Sequence, residues 1–592
     1  MPSARVAMTS ARSVRRSRFL IAALASWSVL GLAQDEPPEV PSGWHDRKPV
    51  AARRFMVAAA NPLAVDAGYA ILRAGGSAVD AAIAVQLVLG LVEPQSSGLG
   101  GGGFMLVHDA MRNKLIAYDG RETAPAAAKP DRFLDGDGKP LSFFSAVIGG
   151  KSVGVPGTVA LLAEVHKRHG RLPWAKLFAP AIDLAENGFP VSPRLNVLIA
   201  AEQRFVQPRA RAYFYDFLGN PIPVGRTIRN PAYAATLRKI AAGGAKTFYE
   251  GQIASDIVAT VTTDPANPGD MTLADLAGYK VEIREPVCGN YRTYRVCGMP
   301  LPSSGGPTVL QILGMLERFD MKSMEPAGFW SVHFISEAGR LAYADRSVYM
   351  ADPAFYTPPN GLLDRDYLLE RSRSIRPDAS LGRVQPGTPP ARASLERVAS
   401  GDSATPEFPS TSHMSIVDAE GNAVAMTATI EYGFGSHLMT ESGFLLNNEL
   451  TDFSFVPIAD GEPVANRVDA GKRPRSSMSP TIVYDRSGKI YMITGSPGGP
   501  AIINYVVKAL VAVLDWGLDP QAATALPNFG SRNGPTELEA GAWAEALEPK
   551  LRALGHQTRV IVQTSGTQAI VHTKDGWIGG ADPRREGTVR GD

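Results

Sequence analysis

A long polar stretch that stops abruptly at a strand sets the first constraint on this chain. From about residue 374 to 410 the sequence is rich in Pro, Ser, Gly and Arg, as in Gly387-Thr388-Pro389-Pro390 and Gly401-Asp402-Ser403, with no apolar period of either kind. This predicts exposed loop. Directly behind it, residues 413–417 and 423–430 flank Asp418-Ala419-Glu420-Gly421-Asn422 in a strand, turn, strand pattern. Thr411 stands at the junction, where a cut would make it a new N-terminus. A threonine hydroxyl is a weak nucleophile until a base takes its proton, and an α-amine with a pKa near ~7.7–8 suits that task. The intact chain has no such amine at Thr411, so cleavage of the Ser410–Thr411 bond must precede chemistry of that kind. Taken alone, Thr411 also reads as a β-favouring residue at a strand start.

The 592 residues, 44% hydrophobic and 20% charged, have the mix of a soluble enzyme with ample material for a core. Arg5, Arg12, Arg15, Arg16 and Arg18 precede an apolar run over residues 19–32 and a small-x-small site at Gly31-Leu32-Ala33, the pattern of a signal peptide covering residues 1–33. The run is short for a membrane span. Arg15-Arg16 with Phe19-Leu20 hints at a twin-arginine signal with an imperfect offset. Removing this segment takes away five arginines and no acids, moving the formal charge from +2 to −3. That balance carries no polybasic signature for nucleic acid or membrane. A periplasmic or secreted protein is expected.

Cys288 and Cys297 are the only cysteines. A turn at or near Gly289-Asn290 would bring them onto neighbouring strands, and export would allow a disulfide; two buried free thiols are the alternative. Neither cysteines nor histidines offer zinc spacing, and His166 and His169 read as a solvated helix face, so no metal and no cofactor is expected. Residues 61–92 read as two packed helices broken at Gly75-Gly76. Gly98, Gly100 and Gly103 satisfy G-x-G-x-x-G, but the run follows a helix and precedes a strand, the reverse of a dinucleotide site. Close backbone packing beside a cavity is the expected use of these glycines.

Several motifs, in one order, carry a resemblance. They are Asn61-Pro62-Leu63-Ala64, Gly120-Arg121-Glu122-Thr123-Ala124-Pro125, Gly154-Val155-Pro156-Gly157-Thr158, Leu341-Ala342-Tyr343-Ala344-Asp345-Arg346, Thr411-Ser412-His413, Asn447-Asn448-Glu449-Leu450-Thr451-Asp452-Phe453, Arg475-Ser476-Ser477-Met478-Ser479-Pro480 and Thr494-Gly495-Ser496-Pro497-Gly498-Gly499. Together they resemble the gamma-glutamyltranspeptidases over nearly everything after residue 50. The resemblance implies a four-layer αββα sandwich of the N-terminal nucleophile hydrolase class. It also implies a precursor that cuts itself into a large subunit, 34–410, and a small subunit, 411–592, which stay together as a heterodimer.

On that reading Thr411 is the nucleophile, Thr429 orients it, and Gly498 and Gly499 supply oxyanion donors at a turn entering a helix. Glu431, Glu449 and Asp452 would crowd three carboxylates at one site, which calls for a cation, and a substrate α-ammonium fits. Arg121 offers a fork for an α-carboxylate, with Ser476 and Ser477 beside it. An ammonium and a carboxylate read together describe the head of a γ-glutamyl donor such as glutathione. Two departures stand out: Thr429-Ile430-Glu431 replaces the Thr-x-Asn of many relatives, and the loop between Asp452 and Ser476 lacks the tyrosine several members use as a lid. The competing expectations are a cephalosporin or glutaryl amide acylase of the same fold, and an unprocessed binding protein without activity.

Overall fold

The computed structural model describes residues 40, 42–390 and 410–592. The predicted signal segment, 1–33, and linker residues 391–409 lie outside the described residues. Helix Pro62–Arg73 starts on an Asn61 side-chain cap to the Leu63 amide with proline at its first position. Helix Ala78–Val92 starts on a reciprocal box between Ser77 and Asp80. All fifteen of its residues are buried, as suits a helix apolar on every side, and Glu93-Pro94 ends it.

Two seven-stranded antiparallel sheets form the centre. In spatial order, one contains Thr588–Gly591, Met56–Ala59, Ser412–Val417, Ala423–Thr429, Gly102–Asp109, Lys114–Gly120 and Glu282–Arg284. The other contains Val50–Ala52, Gly576–Ala581, Gln568–Thr573, Ile490–Gly495, Thr481–Tyr484, Tyr294–Gly298 and Val287–Tyr291. Segments from both sides of residue 410 therefore interleave in each sheet.

The period-2 pattern sends alternate side chains to opposite faces. Val57, Ala59, Met105 and Val107 pack toward helices Pro62–Arg73 and Ala78–Val92, while Met56, Ala58, Phe104 and Leu106 face the other sheet. That sheet is covered on its far side by helices Gly305–Leu316, Phe329–Tyr349 and Ile502–Leu514. The layers are helix, sheet, sheet, helix, the αββα sandwich of the N-terminal nucleophile hydrolases.

Three local expectations are refined. Residues 374–390 form irregular chain, but it is strapped down: the Gly387 amide donates to Asp345 at 2.8 Å and the Ser380 amide to the Leu554 carbonyl at 2.7 Å. Cys288 and Cys297 face each other across antiparallel strands as a disulfide, with the turn at Arg292-Thr293 rather than Gly289-Asn290. His166 and His169 are half-buried, not solvated; His169 Nε2 meets the Tyr118 hydroxyl at 2.7 Å and His166 Nε2 the Leu172 carbonyl at 2.9 Å.

Candidate active site

Strands Ser412–Val417 and Ala423–Thr429 pair with Ser412 opposite Ala428, so the hairpin sets the position before its first strand beside the end of its second. Thr411 and Thr429 meet there, both buried, with their hydroxyl oxygens 3.4 Å apart. The Thr411 hydroxyl donates to the carbonyl of Ser410, the carbonyl it would attack. The Thr429 hydroxyl donates to that same oxygen at 2.9 Å and accepts the Glu431 amide at 2.8 Å. In the continuous chain a hydrogen-bond donor is thus aimed at the oxygen where charge would develop.

A small cavity lies against this bond, lined by Arg121, Ser410, Thr411, Thr429, Glu431, Glu449, Asp452, Ser476, Ser477 and Gly499 among others. Nine of the ten residues picked out from sequence thus reach one space. The tenth, Gly498, is not in its wall. It turns the chain at φ +139° ahead of Gly499 at +55°, where a side chain would strike Tyr505. The space is only about 30 Å³, room for a water or two and not for an amino acid.

The glycine run works as close packing. A Cβ on Gly100 would fall 2.1 Å from the Leu445 carbonyl, and one on Gly101 2.1 Å from the Thr429 carbonyl. Without side chains, this loop lets the segments bearing Thr429 and Glu449 close over the site.

The charges are arranged differently from the sequence-based expectation. Arg121, fully buried, forms ion pairs with Glu449 and Asp452 and also donates to the Arg475 carbonyl at 2.9 Å and the Pro474 carbonyl at 3.2 Å. The cation that the acids require is supplied from within the chain, because Arg121 and residues 449–452 fold against each other. Burial opposes the guanidinium charge, but Glu449, Asp452 and Glu122 outweigh it and hold Arg121 above its ordinary range. Burial, reinforced by Asp452 and Glu449, pushes the Glu431 carboxyl well above the usual carboxylate range, although Asn448 donates to it. Burial likewise raises Glu449 well above that range against the pull of Arg121. Glu431 is held in the left-handed region at φ +74°, a strained backbone that aims its side chain inward.

Sequence reasoning passed over several supporting groups. Arg346 donates to the Ser477 hydroxyl at 2.6 Å and the Ser304 hydroxyl at 2.8 Å, and Ser304 in turn holds the Ser476 carbonyl. Arg346 ends the Leu341-Ala342-Tyr343-Ala344-Asp345-Arg346 motif, yet nothing local ties it to a serine 131 residues away. Glu122 is buried beside Arg121, and burial lifts it to about 7 against that arginine's pull. His333, Glu337 and His556 come together although no spacing announced them. Their polar atoms are engaged: His333 bonds His556 at 2.8 Å and the Arg376 carbonyl at 2.7 Å, and Glu337 accepts from Arg340, Ser380 and the Leu381 amide. This is a satisfied network in the core.

The family model described as Gamma-glutamyltranspeptidase matches residues 64–591. The glutathione hydrolase proenzyme of Escherichia coli strain K12 is 38% identical over 585 residues, covering 96% of this chain and 97% of that one. Among solved structures, the cephalosporin acylase of Bacillus halodurans superposes with a TM-score of 0.80 at 27% identity, covering 94% of this chain and 99% of that one. The Helicobacter pylori gamma-glutamyltranspeptidase gives a TM-score of 0.53 at 35% identity, covering 59% of this chain and 96% of that one. With its sandwich fold and a family match along nearly its whole length, the chain belongs to the gamma-glutamyltranspeptidase family.

Proposed function

We propose that this protein is an exported, self-processing gamma-glutamyltransferase and glutathione hydrolase whose nucleophile is Thr411. The observation that carries the reading is the contact of the Thr411 hydroxyl with the Ser410 carbonyl, supported by the Thr429 hydroxyl at 2.9 Å. In processing, Thr411 Oγ1 adds to the Ser410 carbonyl carbon, the C–N bond breaks, and the hydroxyl proton passes to the departing nitrogen. The product is an ester. Water then hydrolyses it, leaving a Ser410 carboxylate on the 34–410 subunit and a free α-amine on Thr411.

That amine is the base the hydroxyl lacked. The processed Thr411 attacks the γ-carbonyl of a donor such as glutathione, the leaving amine departs protonated, and water or an amino group resolves the γ-glutamyl ester. Gly498 and Gly499, at the entry to helix Ile502–Leu514, are assigned the oxyanion amides. Arg121, Ser476 and Ser477 are assigned to the donor α-carboxylate, and Glu431, Glu449 and Asp452 to its ammonium, so a bound donor has to share or displace the Arg121 ion pairs with Glu449 and Asp452. The 30 Å³ space has Ser410 in its wall, so donor binding follows departure of the Ser410 side.

No described helix is long and apolar enough to cross a membrane. The disulfide agrees with an oxidising, periplasmic or secreted setting. The deciding experiment is N-terminal sequencing of the purified protein alongside Thr411→Ala. Fragments beginning near Gln34 and at Thr411, with an inactive, uncut variant, are expected. Any other start for the small fragment would refute the mechanism.

A further inference from the structure

The loop that follows helix Ala78–Val92 grips the scissile bond from both sides. On the acyl side, the Ser410 hydroxyl donates to the Gln95 carbonyl at 2.7 Å. On the amine side, the Ser412 hydroxyl donates to the Glu93 carboxylate at 3.2 Å. Between them, the Thr411 carbonyl accepts from the Arg585 guanidinium at 3.0 Å. Three successive residues are held at three points, and two of the three holds come from residues 93–95.

Glu93 is not placed there by chance of packing alone. It is 1% exposed and faces three charged groups: Arg194, 3.7 Å from its carboxylate, with Arg585 and Glu586 also within electrostatic reach. The Glu586 carboxylate accepts the Arg194 amide at 2.8 Å, which closes the group into a buried set of two acids and two arginines behind Thr411. A buried carboxylate is costly unless paired and hydrogen-bonded, and here the pairing anchors the residues around the bond to be cut.

We infer that Glu93 is a positioning residue for self-processing: through Ser412, and by neutralising the arginines beside it, it fixes the amine side of the bond while Gln95 fixes the acyl side. It touches neither reacting atom. Its effect is to keep the Thr411 hydroxyl against the Ser410 carbonyl, where a small misplacement slows attack strongly. The inference rests on the self-processing reading. After the cut, the Ser410–Gln95 bond lies within the 34–410 subunit, whereas the Ser412–Glu93 bond joins the two subunits.

Burial pushes the Glu93 carboxyl up to about 7, with Arg194 and Arg585 pulling against it and Glu586 adding to the rise. Below that range the side chain is a neutral acid, electrically equivalent to glutamine.

The test follows full-length precursor made by cell-free translation and chased at several pH values, with cleavage read on denaturing gels. Glu93→Gln and Ser412→Ala are each expected to slow processing by roughly tenfold or more at about pH 8, the effect of losing a charge-assisted hydrogen bond. The ratio of wild-type to Glu93→Gln rates should shrink toward one near about pH 6, a readout that a loss of general stability would not give. The small fraction of each variant that does process should hydrolyse donor with a kcat within a few-fold of wild type. Glu93→Asp should recover part of the rate. Equal processing rates for wild type and Ser412→Ala, or a Glu93→Gln ratio independent of pH, would overturn the inference. A wild-type chain that never splits at residue 411 would instead refute self-processing itself.

Discussion

The Thr429 hydroxyl stands 2.9 Å from the Ser410 carbonyl oxygen and 3.4 Å from the Thr411 hydroxyl, so a single side chain touches both partners of the processing reaction. Its position follows from hairpin register, since pairing Ser412 with Ala428 leaves Thr429 facing the position before Ser412. Removing that hydroxyl at nearly constant volume isolates its contribution. Thr429→Val is expected to accumulate uncut chain, with processing slowed by about 10²–10³, the usual effect of losing one donor to a developing oxyanion. Thr429→Ser should stay within a few-fold. The check is a time course of the two fragments on a denaturing gel, and a Thr429→Val chain that splits at the wild-type rate would remove Thr429 from the mechanism.

Arg121 carries two acids and two backbone carbonyls on one planar group, which a lysine ammonium cannot reproduce. Breaking a buried pair leaves uncompensated charge at a cost of about 3–5 kcal/mol. Arg121→Lys should still process, because neither Ser410 nor Thr411 is bonded to it. Its kcat/KM for γ-glutamyl-p-nitroanilide should fall by roughly a hundredfold or more. Unchanged kinetics would place the donor carboxylate elsewhere.

The resemblance in fold to a cephalosporin acylase makes donor charge the discriminating property. On the proposed assignment, a donor α-ammonium would pair with Glu431, the acid of the three with no Arg121 ion pair, whereas a glutaryl amide has no such cation to offer. One lost charge-assisted hydrogen bond, worth about 1.5–3 kcal/mol, sets the expected preference for γ-glutamyl- over glutaryl-p-nitroanilide at more than about tenfold in kcat/KM. A ratio near one, or below it, would promote the acylase reading.

What could be read from the sequence was whatever local pattern controls. The period-2 runs around Gly421, the helix broken at Gly75-Gly76 and the Gly-rich turn before Ile502 all appear as elements close to where the pattern puts them. The residues that line the cavity were legible because most of them belong to short motifs, with Thr429 and Glu431 added from the end of the hairpin. Their mutual arrangement was not. That Arg121 neutralises Glu449, 328 residues away, depends on how distant segments are brought together by the two sheets, and no spacing encodes it. Glu93, Gln95 and Arg585 were invisible for the same reason, since each acts on Ser410, Thr411 or Ser412 from a segment distant in sequence. The disulfide was half-legible: two cysteines nine apart suit a hairpin, but only the turn at Arg292-Thr293 places them in register.

The disulfide itself closes a short loop, for which restriction of the unfolded chain amounts to about 2–3 kcal/mol. Replacing both cysteines with alanine should lower the urea stability of the enzyme by about that amount, and reductant should have the same effect on wild type. Equal stability with and without reductant would mean that the pair contributes nothing to holding the Val287–Tyr291 and Tyr294–Gly298 strands together.

The pH dependence of stability should carry the mark of His413. It lies between the sheets, with its ring bonded to Thr427 at 2.8 Å and Ser415 at 3.1 Å, and packs so closely on Gly495 that a Cβ there would come within 2.3 Å. Burial alone lowers its pKa to about 3 from an unfolded value of 6.5. Below about pH 6.5 the unfolded chain takes up a proton that the native ring refuses, so this residue's share of stability is lost as pH falls from 6.5 toward 3. His556, lowered to about 4 by burial, has the same sign, while Glu93 and Glu122, raised by burial, have the opposite one. Because these terms overlap, the variant comparison is what isolates His413: His413→Gln removes one such proton and should make the acid-side slope shallower by up to about 1.4 kcal/mol per pH unit. Urea unfolding of both proteins between about pH 4 and about pH 6 measures that difference. Parallel slopes would show that the native ring takes up its proton as readily as the unfolded one, and that the packing around Gly495 opens to let it.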